Sequence, residues 1–82
     1  MTRTKQKTFS TLDLYLSSFL SLSGIPPNLE VNNGKVIFTF TASENLFKQI
    51  LEYNSNVSVL VADFVTTIKA LRGQMLTMRA KI

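Results

Sequence analysis

The side chains that could do chemistry are few. The chain has 82 residues and contains no histidine and no cysteine. It therefore lacks the usual general base of neutral pH, the thiolate nucleophile and the ordinary zinc ligands. The five carboxylates, Asp13, Glu30, Glu44, Glu52 and Asp63, are scattered along the sequence. Glu44, Glu52 and Asp63 could meet in space, but acidic residues at such spacings usually line solvated helix faces. Ser17, Ser18 and Ser21 have no partner base. They read as a solvent-facing or close-packed helix side. Asn33-Gly34-Lys35 lacks the Gly-x-x-x-x-Gly-Lys-Ser/Thr frame of a phosphate loop. No catalytic residue, metal site, cofactor or small-molecule substrate follows, and the expectation is a protein that is not an enzyme.

The basic residues are arranged less evenly. Seven of the nine positive charges lie near the ends: Arg3, Lys5 and Lys7 at one, and Lys69, Arg72, Arg79 and Lys81 at the other. The middle is mildly acidic, with Lys35 and Lys48 against five carboxylates. Clustered cations can neutralise phosphates, and a basic arm can follow a groove of a nucleic acid. The bland alternative is a solubilising surface on which Lys and Arg snorkel beside a core stripe. No helix-turn-helix signature or RNA-recognition aromatic pair accompanies the charge, so non-specific binding is the expectation.

The elements that must position these residues centre on Leu29 to Phe40. Asn33-Gly34 separates two alternating runs and is the preferred pair for a two-residue type I′ turn. With those residues as the loop, Asn32 pairs with Lys35, Val31 with Val36, Glu30 with Ile37 and Leu29 with Phe38. Leu29, Val31, Val36, Phe38 and Phe40 then share one face. Ile37 falls on the other face among polar residues.

Helices are expected on both sides of this hairpin. Ser10 reads as an N-cap, with Asp13 in the first turn of a helix closed by Gly24 and a Schellman contact from Ile25. Its apolar side collects Leu12, Tyr15, Leu16, Phe19, Leu20 and Leu22, its polar side Asp13, Ser17, Ser18 and Ser21, and Leu14 is misplaced. Pro26 and Pro27 stop it and send the chain on extended. Thr41 and Glu44 fit a capping box for a second helix to about Tyr53. Its stripe is Leu46, Phe47, Ile50, Leu51 and Tyr53. Residues 57–61 suit either a short strand or a helix start.

A third helix is expected from about Leu60 to Ala80, with a main stripe of Leu60, Val61, Phe64, Ile68, Leu71, Met75, Met78 and Ile82. A second stripe holds Ala62, Val65, Leu76 and Ala80. A strand over Lys5–Phe9, with Phe9 turned inward, would add to the sheet beyond a basic arm at residues 1–7.

The expected fold is a single α+β domain over residues 1–82. Three helices cover one face of a small antiparallel sheet in the order (β)-α-β-β-α-α. Surplus apolar positions, namely Leu14, Ile37, Val65 and Leu76, suggest a partner or dimer interface. A homodimer joined mainly through the helix at 60–80 is expected, and a nucleic acid and a host protein are the other candidate partners.

No apolar run approaches membrane-spanning length. The stretch Thr11 to Gly24 is broken by Asp13 and several Ser, so it does not read as a signal peptide. A cytoplasmic location is expected.

The run Thr8-Phe9-Ser10-Thr11-Leu12-Asp13-Leu14-Tyr15-Leu16 is followed by Gly24, then Val36-Ile37-Phe38-Thr39-Phe40, Tyr53, Phe64 and Lys69-Ala70-Leu71-Arg72. This layout resembles a family of short prokaryotic and phage proteins catalogued only as a domain of unknown function. The likeness covers nearly the whole chain, and its motifs are structural. It implies a small protein of prokaryotic or mobile-element origin and supplies no catalytic residues.

Overall fold

A computed structural model describes residues 7–80. The order of elements is β1 (Thr8–Thr11), α1 (Leu14–Leu22), β2 (Asn28–Asn32), β3 (Lys35–Thr41), α2 (Glu44–Asn54) and α3 (Val61–Ala80). The fold is α+β, as the patterning implied. The strands form one antiparallel sheet in the order β1-β3-β2.

The hairpin has the expected register, from Asn32 opposite Lys35 to Leu29 opposite Phe38, and it extends to Asn28 opposite Thr39. Asn33 and Gly34 take φ of 53° and 77°, the positive pair that a type I′ turn requires. β3 buries every second residue, namely Val36, Phe38 and Phe40, so one face of the sheet is core and the other is open. β1 runs along the far side of β3 with Phe9 opposite Phe40. Its span is Thr8–Thr11 rather than Lys5–Phe9. Phe9 does turn inward, with its ring 6.3 Å from those of Phe40 and Phe47. The arm at residues 1–6 lies outside the described residues.

Because β1 takes Ser10 and Thr11 into the sheet, α1 begins later than its sequence suggests. Asp13, not Ser10, is the N-cap, and its Oδ1 accepts the backbone N–H groups of Tyr15 and Leu16 at 2.9 and 3.1 Å. A carboxylate cap also meets the positive end of the helix dipole. The C-terminus closes as expected. Gly24 has φ 93°, its N–H bonds the Ser21 carbonyl, and the Ile25 N–H reaches back to Leu20 at 2.9 Å.

The two sides of α1 are a correction to the sequence reading. Leu16, Ser17, Ser18, Phe19 and Leu20 are all buried, whereas Leu12, Tyr15 and Leu22 are exposed. Leu14 packs against the core. Five consecutive buried residues cannot lie on one face of a 3.6-residue helix. α1 is the central helix, with α3 as its main helical neighbour and α2 also against it. Small hydroxyl side chains on the inner helix let its neighbours approach. The Ser18 hydroxyl donates to the Leu14 carbonyl at 2.8 Å. Among the described residues Ser17 Oγ has no hydrogen-bond partner.

α2 is capped by Ser43, whose Oγ accepts from the Leu46 N–H at 3.0 Å. Thr41 cannot serve as the cap because it is the last residue of β3. Only Leu46 of α2 is fully buried, and Ile50 and Tyr53 pack beside the core. Leu51, placed in the stripe by sequence, is 68% exposed. The helix ends on Asn56, whose φ of 64° and backbone bond from its N–H to the Tyr53 carbonyl form a Schellman close with asparagine in the glycine position.

Residues 57–60 belong to neither strand nor helix, and α3 starts at Val61. Leu60 and Val61 are exposed, so the buried stripe of α3 begins at Phe64 and continues through Ile68, Leu71 and Met75. The core is Leu16, Phe19, Leu20, Phe38, Phe40, Leu46 and Leu71. No helix among the described residues is long and apolar enough to cross a membrane.

Candidate nucleic-acid interface

With the inner face of α3 fixed by Phe64, Ile68, Leu71 and Met75, the helical period sets a neighbouring stripe about 90° round the helix. Val65, Lys69, Arg72, Leu76 and Arg79 follow one another at alternating steps of four and three, which aligns them along one exposed stripe. Val65 is 40% and Leu76 60% exposed, and the three cations between and beyond them are exposed too. Lys69 and Arg79 are separated by about 15 Å along the axis at 1.5 Å per residue. The acidic residue of this helix, Asp63, lies in its first turn and off the stripe. Arg79, in the last turn, also faces the negative end of the helix dipole.

On the helical wheel Lys69 and Arg72 flank the second stripe of the sequence, which holds Val65 and Leu76, and Arg79 lies near them; all five are exposed along one side of α3.

The other expected site residues lie elsewhere. Lys7 is exposed at the base of the arm, where its carbonyl accepts the Ala42 N–H at 2.9 Å. It continues β1 at one edge of the sheet, whereas α3 packs on β2 and β3. Arg3, Lys5 and Lys81 lie outside the described residues. Leu14, expected on a partner face, is half-buried against the core. Ile37 is half-buried on the open face of the sheet. There it lines a shallow depression of about 410 Å³ with Leu12, Ser10, Asn32 and Lys35. The position of Ile37 among polar residues is therefore shared by an exposed leucine from the β1–α1 turn.

Two concavities were not anticipated. One, of about 420 Å³, is walled by Phe19, Tyr53 and Phe64 and edged by Asn54 and Asn56. The rings of Phe19 and Tyr53 stand 5.5 Å apart. Burial raises the Tyr53 phenol above its ordinary value of 10.0, and the nearby Asp13 and Tyr15 add to the shift. The second, of about 610 Å³, separates β2 from the C-terminal half of α3. Its sequence signal is the small residues Ala70, Gly73 and Thr77 at helical spacing. A methyl group at Gly73 would meet no other element among the described residues within 4 Å. The glycine is thus not required for packing inside the domain, although it weakens the helix by about 1 kcal/mol relative to alanine.

Among the described residues no group of three or more acidic, histidine or cysteine side chains could hold a metal ion. No curated protein and no solved structure matches the chain. The family model described as Domain of unknown function (DUF5659) matches residues 6–77, and the chain belongs to that family.

Proposed function

We propose that this chain is a small non-catalytic accessory protein that binds nucleic acid without sequence preference through the outward stripe of α3. The observation that carries the reading is the alignment of Lys69, Arg72 and Arg79 along one exposed flank of a helix whose inner face is anchored in the core. A rigid row of cations meets phosphates at little entropic cost, and Val65 and Leu76 can lie against the sugar edges between them. Lys7 is exposed at the far edge of the sheet, and with Arg3 and Lys5 close before it in sequence it offers a second basic segment for a separate phosphate contact. The absence of histidine and cysteine from the sequence and the spread of its carboxylates support a binding role over a catalytic one.

The same stripe argues against self-association through Val65 and Leu76. Two copies joined there would oppose three cations on each helix, with no carboxylate on either stripe to offset them. We therefore assign this side to an anionic partner rather than to a second copy.

A salt-titrated binding assay against duplex and single-stranded DNA and RNA tests the proposal. Log K should fall linearly with log salt and vary little among sequences. Absence of binding at low salt would remove the nucleic-acid reading. The reading next in line is a module that docks on a host protein, in keeping with the mobile-element origin that the family resemblance implies. The apolar depression at Ile37 and Leu12 favours that alternative.

A further inference from the structure

We infer that the groove between β2 and α3 is a peptide-binding site that captures an extended segment of another protein by strand addition. The occupant has the alternation apolar–basic–apolar.

β2 is an edge strand: β3 covers one side of it, and among the described residues no strand lies on the other. The two-residue hairpin determines which of its backbone groups are free. Asn32 and Lys35 close the turn and form a hydrogen-bonded pair, so Glu30–Ile37 and Asn28–Thr39 are hydrogen-bonded pairs as well. The intervening residues, Leu29 and Val31, turn their N–H and C=O groups away from β3. They present two donors and two acceptors along the outer edge, the arrangement that an incoming strand completes.

The floor beside this edge suits an added chain. Pro27 and Leu29 form one wall, and Ala70, Gly73, Thr77 and Met78 form the other. Three of the five helical residues that line the groove are small, Gln74 being the fifth, and space is left open over Gly73. Side chains of an added strand that alternate toward the helix would rest on this wall.

The composition of the occupant follows from register. Residues opposite Leu29 and Val31 point to the inner face, toward α3, and should be apolar and of moderate size. The residue between them lies opposite Glu30 and points to the open face. The Thr39 hydroxyl on β3 lies 3.3 Å from Glu30 Oε2, so this carboxylate sits on the open face one strand in from the edge, within reach of a long side chain on an added strand. An opposite charge at the facing position is favoured, so this residue is Lys or Arg.

The same register disfavours a second copy of the chain. A two-fold pairing of β2 with itself that uses the free groups of Leu29 and Val31 sets Glu30 directly against its symmetry mate. Centring on Leu29 brings in Pro27, which has no N–H to donate, and centring on Val31 runs into the turn at Asn33. The groove lies about 150° round the helix from Lys69, Arg72 and Arg79, so this site stands apart from the proposed phosphate contact.

The test uses the full chain, isotope-labelled, with the synthetic peptide acetyl-Thr-Val-Lys-Val-Thr-amide. Titration should slow hydrogen exchange at the Leu29 and Val31 amides by at least about tenfold and shift the resonances of residues 70–78. The peptide with Glu in place of Lys should bind at least about fivefold more weakly, and Glu30→Lys should reverse that preference. Ala70→Phe fills the groove at an exposed position. It should abolish binding while leaving the melting curve unchanged. The inference is overturned by unchanged exchange at millimolar peptide, by equal binding to the Ala70→Phe variant, or by protection confined to the β1 edge. Protection of the same amides by duplex DNA alone, or by raising protein concentration without peptide, would also overturn it.

Discussion

The Ser18 hydroxyl is bonded to the Leu14 carbonyl at 2.8 Å, whereas the adjacent and equally buried Ser17 hydroxyl has no partner among the described residues. A buried hydroxyl without a partner carries an uncompensated desolvation cost of about 1–3 kcal/mol. Ser17→Ala removes that cost without creating a cavity larger than one oxygen atom. It should raise the unfolding free energy by about 1 kcal/mol, while Ser18→Ala should change it by less than about 0.5 kcal/mol. Urea denaturation of the three proteins, read for the midpoint at constant slope, distinguishes them. Equal destabilisation by both substitutions would show that Ser17 is bonded in solution.

These two serines also mark the limit of what periodicity could reveal. The hairpin was legible to the residue, because Asn33-Gly34 specifies its own turn and the turn specifies register. The inner stripe of α3 from Phe64 to Met78 was legible because one side of that helix stays in solvent. α1 was not. Its exposed positions include Tyr15 and Leu22 while Ser17 and Ser18 are buried, so small polar residues there mean close packing rather than exposure. The two N-caps were displaced for a related reason. Ser10 and Thr41 are good caps in isolation, but both are taken by strands, and the next suitable oxygens, on Asp13 and Ser43, cap instead. The candidate stripe was half legible. The helical wheel sets its cations beside Val65 and Leu76, but which of these positions stay in solvent follows only once the inward direction of α3 is fixed.

Phe38 sits at the centre of the sheet with none of its surface exposed, between Leu29 on β2 and Thr11 on β1. Phe38→Ala should cost about 3–5 kcal/mol through the cavity it leaves. In a domain of this size that approaches the whole stability, so the variant should be largely unfolded at 37 °C by circular dichroism. Ile37→Ala, one residue along on the open face, should cost less than about 1.5 kcal/mol. A similar loss at both positions would contradict the one-sided sheet.

Tyr53 links stability to alkaline pH. Its phenol titrates above the ordinary 10.0 because burial, Asp13 and Tyr15 all disfavour the phenolate. The folded state therefore holds this proton more tightly than the unfolded state. The resulting stability is fully present below the unfolded value and is lost as pH rises through the higher folded value. The urea midpoint of the parent chain should fall more steeply than that of Tyr53→Phe as pH is raised from about 9 to about 11. Parallel curves would place the phenol in water. A fall confined to neutral pH would assign the effect to another group.

The charge stripe of α3 makes the most direct functional prediction. Lys69 and Arg72 are exposed and lie outside the core stripe of the helix, so replacing both with Gln should leave the melting temperature within a few degrees. If each contacts one phosphate, the double variant loses about two units from the slope of log K against log salt, with uniformly weaker binding across sequences. Lys48→Gln, on the exposed side of α2, removes the same charge from elsewhere on the molecule. It should lower affinity slightly through net charge and leave the slope within about half a unit. Equal slope changes for Lys48 and Lys69 single variants would mean that the protein attracts nucleic acid through net charge alone, and the α3 stripe would lose its claim to be the contact surface.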